Sequence, residues 1–176
     1  MTVKMDRSML TGEERTFDSD EFIVSKTDIN GKLTYVNDLF LRIADYTEEE
    51  VLGAPHSLVR HPDMPRCVFK LLWDTIQDKK EIFAYVVNAA KNGDYYWVLA
   101  HVTPSFNEAG DVIGFHSNRR KPAAEKVEKI KVLYDSLLKE EARHEDKQAG
   151  LENSSNLLAS VLADKGINYD EFVLTI

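Results

Sequence analysis

The sequence predicts an α+β fold: a five-stranded antiparallel sheet with short helices on one face, followed by C-terminal helices. Three observations carry that expectation. Residues 21–35 hold two β-branched runs across a tight turn. Residues 82–118 hold three more strand-like runs joined by turn residues, and the residues between these two blocks have helical spacing.

Composition sets the frame. The chain has 176 residues, 43% of them hydrophobic and 10% aromatic, enough to bury a core without disulfide staples. Thirty acidic residues against 22 basic ones give a net charge of −8, which argues against nucleic acid or an anionic membrane surface as partner. The single Cys67 cannot form an internal disulfide and is expected to be a small buried hydrophobe. No apolar run is long enough to span a bilayer and none reads as a signal peptide, so a cytoplasmic protein without membrane insertion is expected.

In chain order, residues 1–20 read as a polar arm or cap, with TGEER as a short helical turn. Glu21–Tyr35 is a hairpin, its Asn30-Gly31 pair supplying the turn. Leu39, Phe40, Ile43 and Ala44 recur at helical spacing, and Thr47 with three glutamates after it reads as a capped helix start that ends at Gly53. Cys67–Thr75 is expected to be a helix burying Val68, Leu71, Leu72 and Trp73. The period then changes. Ile82–Ala89, Tyr95–Phe106 and Asp111–Asn118 form a meander, and Pro122 ends a domain spanning 21–122. Residues 123–176 are a helical extension in which Val127, Ile130, Tyr134 and Leu137 form one apolar seam, broken at Gly150.

The stretch PHSLVRHPDMP at 55–65 fits none of these periods. Three prolines fix its backbone in an irregular path, while Arg60, His61 and Asp63 place a cation, an imidazole and a carboxylate on one short piece of chain, as a polar ligand grip requires. No acid–base pair, nucleophile dyad or phosphate loop is evident, so an enzyme is not expected.

Those words, with SKTDINGKLTYVN at 25–37, Phe69, Trp73, KNGDYYWV at 91–98 and VTP at 102–104, resemble the PAS sensor domain of bacterial aerotaxis receptors. The resemblance implies a PAS fold, non-covalent FAD, and redox or oxygen sensing reported to a bacterial signalling or chemotaxis partner. Carried over by position, it implies cofactor contacts from Asn37, Arg60, His61, Asp63, Trp73 and Asn88, with His116 near the ring system. The chain lacks the membrane segment and methyl-accepting coiled coil of such receptors, so a small soluble sensor or adaptor is expected. Haem held by His56, His61 or His116, or a cofactor-free interaction module, are the alternatives. No metal site is expected, since no histidine pair has helical ligand spacing. A homodimer is also expected, because both faces of the sheet carry apolar residues and one needs cover.

Overall fold

The computed structural model describes residues 5–176. The strands are β1 (Ile23–Asp28), β2 (Leu33–Val36), β3 (Ile82–Ala89), β4 (Tyr95–Phe106) and β5 (Val112–Arg120), forming one sheet in the order β2-β1-β5-β4-β3 with every pairing antiparallel. Helices α1 (Asp38–Ala44), α2 (Glu48–Val51) and α3 (Arg66–Gln77) lie between β2 and β3, and α4 (Ala124–Ala142), α5 (Lys147–Lys165) and α6 (Tyr169–Thr175) follow the sheet. The sheet is the expected one, and so is the fold class.

Strand alternation divides the sheet into two faces. Ser25, Ser117 and Val102 sit side by side on the inner face, and Ala84, Ala100 and Arg119 form the neighbouring row. The inner face packs on α1, α2 and α3 through a core that includes Phe40, Val51, Val68 and Ile76. On the outer face, α4 lies against β3 and β4: Tyr134 stacks on Trp97 with ring centroids 6.2 Å apart and donates its hydroxyl proton to the Tyr85 carbonyl at 2.6 Å. The apolar seam expected in α4 is the set of residues it buries. Helix α6 then guards the open edge of the sheet, where Asp170 Oδ1 accepts from the Phe83 N–H at 2.8 Å. An unpaired edge strand invites other chains, and this bond removes one of its free donors.

Three local expectations are corrected. TGEER is not helical: the arm runs extended along the start of β4, with hydrogen bonds from Thr11 N to Gly93 O, Arg15 N to Tyr95 O and Tyr95 N to Glu13 O, because backbone pairing with β4 outcompetes one isolated turn. Gly150 does not break a helix. It lies inside α5, where the missing side chain lets the helix approach Glu141 of α4, and the real break is at 143–146. In α3, Leu71, Leu72 and Trp73 are only partly buried: they pack at the margin of the core, and Leu72 and Trp73 also line a cavity.

Gly93 holds the arm in place. Its φ is 95°, and a Cβ there would stand 2.0 Å from the Met9 carbonyl oxygen. Gly93→Ala should therefore detach the arm and cost roughly 1–3 kcal/mol, read as a lower urea midpoint with new proteolytic cleavage confined to residues before about position 20.

Candidate functional site

The cavity lies between the inner sheet face and α3. Its floor is made of small residues from two adjacent rows of the sheet, Ser25 and Ser117 in one and Ala100 in the next, which leave room that larger side chains would fill. Its walls are apolar and aromatic: Phe69, Leu72, Trp73 and Ile76 of α3, with Val86 and Phe115 from the sheet. Trp73 meets Phe115 edge to face at 5.6 Å. The volume is about 520 Å³, a size suited to an organic cofactor.

The proline-rich loop straps the cavity between two anchors. At one end His56 N donates to Gly31 O at 2.9 Å, and at the other Arg60 bridges the backbone of Asn88 on the β3 edge. Between them a 3-10 turn, His56–Val59, drops Leu58 and Val59 into the core. The path is irregular, as the prolines require.

The main polar feature of the cavity is Arg119. It is only 3% exposed, yet its guanidinium donates to Ser25 Oγ at 2.8 Å and lies 2.5 Å from His56 Nε2, with no carboxylate among these partners. Burial lowers its pKa to about 10, so it stays charged at neutral pH. Burial, and then the charge of Arg119, depress His56 to about 3. The imidazole is therefore neutral and accepts from the guanidinium through Nε2. Two further wall atoms, Thr27 Oγ1 and Ser117 Oγ, are buried without a hydrogen-bond partner among the described residues. A buried cation with neutral neighbours and orphaned hydroxyls is costly unless something polar completes it.

The sequence-predicted residues divide between different places. Arg60, Trp73 and Asn88 line the cavity. Arg60 stacks on Phe69 at 4.1 Å; burial lowers its pKa, with Glu141 opposing and Arg66 adding to the shift. Asn88 sits opposite Tyr96 in the pairing of β3 with β4. His61 and Asp63 point the other way, into a second hollow beside α4 and the arm. There His61 Nδ1 accepts from Asp63 N at 3.1 Å, and Asp63 pairs with Arg7 at 2.7 Å. Burial lowers the pKa of His61. Asn37 caps α1: its Oδ1 accepts from Phe40 N and Val24 N, and its amide donates to Phe22 O at 2.7 Å, so its side chain is spent on structure. His116 lies on the outer face opposite Lys26 and Thr103, with the sheet between it and the cavity.

Arg119, Thr27 and Ser117 are not among the site residues the sequence singles out, and it offers His56 only as a haem ligand. The available signal was the alternation Phe115, Ser117, Arg119, which puts all three on one face if the strand runs to Arg120. Ending the strand at Asn118 hides it.

The depressed histidine makes a pH prediction. Between the ordinary value of 6.5 and about 3, the unfolded chain holds a proton on residue 56 that the folded chain does not. Stability present above pH 6.5 is thus lost as pH falls below it, by up to about 1.4 kcal/mol per unit. Urea titrations between roughly pH 7 and 5 should show this slope, and His56→Gln, which keeps an acceptor for Arg119, should flatten it. Equal slopes in both proteins would refute a neutral His56.

Comparison with known proteins agrees with the geometry. Residues 33–119 match the model of the PAS fold family. The chain is 35% identical over 128 residues, 73% of its length, to the aerotaxis receptor of Escherichia coli K12, and spans 25% of that receptor. It is 29% identical over 80 residues to phototropin-1A of Oryza sativa subsp. japonica, covering 46% of this chain and 9% of the phototropin. Among solved structures, the light-oxygen-voltage domain of a study with a flavin analogue superposes with a TM-score of 0.56 at 16% identity, covering 65% of this chain and 86% of that one. The dark-state domain of aureochrome1 gives 0.54 at 19%, covering 66% and 85%. The register, the strapped cavity and these matches converge on one assignment: residues 33–119 form a domain of the PAS fold family, similar in sequence to the aerotaxis receptor.

Proposed function

We propose that the domain binds FAD non-covalently in the inner-face cavity and acts as a redox or oxygen sensor for a signalling partner. The observation that carries this reading is Arg119, a buried cation whose hydrogen-bond partners are both neutral, beside a wall of rings and aliphatic groups from α3. A flavin supplies reversible electron uptake coupled to protonation, and its ring joins a flat apolar body to a polar edge. The chain's residues suit both parts. Trp73, Phe69 and Phe115 offer contact to the flat body, while Arg119, Asn88, Ser117 and Thr27 offer donors and acceptors for the polar edge. Arg60, at the strap and without a carboxylate partner among the described residues, suits a phosphate. Relatives support a flavin in general: one similar structure is a light-oxygen-voltage domain studied with a flavin analogue, and one sequence relative is an aerotaxis receptor.

A change of charge beside Arg119 would alter its hold on Ser25 and His56, and so the strap. His61 and Asp63, on the other side of that strap, would transmit the change toward the arm and α4. In this reading they shape the loop rather than touch the cofactor. Haem fits less well, because of His56, His61 and His116 only His56 lines the cavity, and its Nε2 is held by Arg119. The role is signalling rather than catalysis. Among the described residues no helix is long and apolar enough to cross a membrane.

Boiling the purified protein should release FAD, identified by chromatography, and Arg60→Ala should weaken retention by about ten- to a hundredfold, as expected for losing a charge-assisted contact. A haem absorbance band without flavin would overturn the proposal. Homodimerisation through the uncovered part of the outer face is supported by Phe22 and Tyr35, 41% and 47% exposed, on the β1–β2 side that α4 does not reach. Light scattering at tens of micromolar should show a dimer that Phe22→Lys dissociates, and a strictly monomeric wild type would exclude it.

A further inference from the structure

The cavity wall is not made by the PAS domain alone. Leu151 of α5 lines it, as does Arg66, the first residue of α3. The two are brought together by Glu141 near the end of α4, which is only 8% exposed. Its Oε2 accepts from Arg66 Nε at 3.0 Å, and its Oε1 accepts from Cys67 N at 3.1 Å and Ser154 Oγ at 3.2 Å. Arg66 also donates to the Lys147 carbonyl at 2.8 Å, just where α5 begins. One carboxylate thus joins the start of α3, the end of α4 and the second turn of α5. Gly150 permits the approach, since a Cβ there would lie 2.7 Å from the Glu141 carbonyl oxygen and 3.0 Å from Arg66 Nη2.

We propose that the α4–α5 hairpin is a lid on the cofactor cavity, and that Glu141 is the positioning residue that keeps it shut. The argument is one of bonding. Glu141 accepts from an otherwise free N–H in the first turn of α3 and neutralises the partly exposed Arg66 guanidinium, and if the hairpin lifts both must exchange a charge-assisted partner for water. Apolar contact through Leu151 alone would leave α5 free to slide. With the clamp in place, α5 is registered against α3, and α3 carries Trp73, Leu72 and Phe69 of the cavity wall. Occupancy of the cavity and docking of the hairpin then favour each other, as linkage requires. The C-terminal helices become the element through which a change in the cavity is read.

The chain contains its own reporters. Cys67 is the only cysteine, 2% exposed, and lies directly beneath the clamp, where burial raises its thiol pKa to about 11. Trp73 is one of two tryptophans and sits in the cavity wall. Full-length Glu141→Gln, checked by circular dichroism for an intact fold, should let N-ethylmaleimide modify Cys67 about ten- to a hundredfold faster. In a Trp97→Phe background it should also make Trp73 more accessible to acrylamide quenching. Gly150→Ala, whose Cβ would press on the Glu141 carbonyl and the Arg66 guanidinium while keeping the carboxylate itself, should do the same. The proposal extends the FAD reading, but these two measurements need no ligand. In protein that holds FAD, loading should slow Cys67 modification, and Glu141→Gln should speed FAD release. Unchanged Cys67 modification in both variants would overturn the lid, as would faster modification with Trp73 quenching unaltered, because the hairpin would then move without opening the cavity. Protein that retains no flavin, while its Cys67 and Trp73 respond as described, would overturn the flavin reading and leave the lid standing.

Discussion

Arg119 has a positive charge inside the protein with a serine hydroxyl and a neutral imidazole as its polar neighbours, and much of the site follows from how that charge is accommodated. Its place is set by strand register: pairing with Ala100 on one side and Ile23 on the other holds it at the centre of the inner face. Once there, it needs an acceptor. His56 provides one only while unprotonated, which ties the imidazole, and through it the loop, to the charge state of the cavity. The neighbouring Ser25, Ser117 and Ala100 are small, so the guanidinium stands beside open space instead of packed side chains. An interior cation next to an apolar hollow is a poor way to stabilise a fold and a good way to attract a ligand with a polar edge.

The strap that crosses this hollow is organised by its two sides. Arg60 turns toward the cavity, while its neighbours His61 and Asp63 turn toward the arm and α4. Consecutive residues on an extended, proline-stiffened chain point in opposite directions, so a single loop touches both the inner site and the outer helices. Its backbone is held at Gly31 and at Asn88, which limits how it can respond to strain at either surface. The loop therefore touches both sides at once, and its prolines keep that stretch of backbone stiff.

The outer face is closed partly from within the chain. Tyr134 and Trp97 seal the β3–β4 half, and Asp170 satisfies a donor on the sheet edge. The seam of α4 and the arm thus cover more of the sheet than their size suggests, because α4 lies along the strands that present aromatic residues. The β1–β2 half keeps a mixed surface in which Lys26 stands over Tyr35 and Arg120 over Phe22. Among the described residues, Phe22 and Tyr35 thus remain exposed on that half.

The sequence by itself determined the sheet, its hairpin and meander, the apolar seam of α4 and the exceptional character of residues 55–65, since period, turn chemistry and proline content are local properties. It also singled out Arg60, Trp73 and Asn88, which the fold gathers around one cavity. The tertiary structure decided the rest. It sent His61 and Asp63 to the other side of their own loop, spent Asn37 on a helix cap and put His116 behind the sheet. It also turned Gly150 from a helix breaker into a contact point and made Arg119 a buried cation. Each of these depends on which strand lies beside which, how far a strand continues and which helix returns to pack on it. Those facts are set by contacts between residues far apart in the chain, and no local pattern records them.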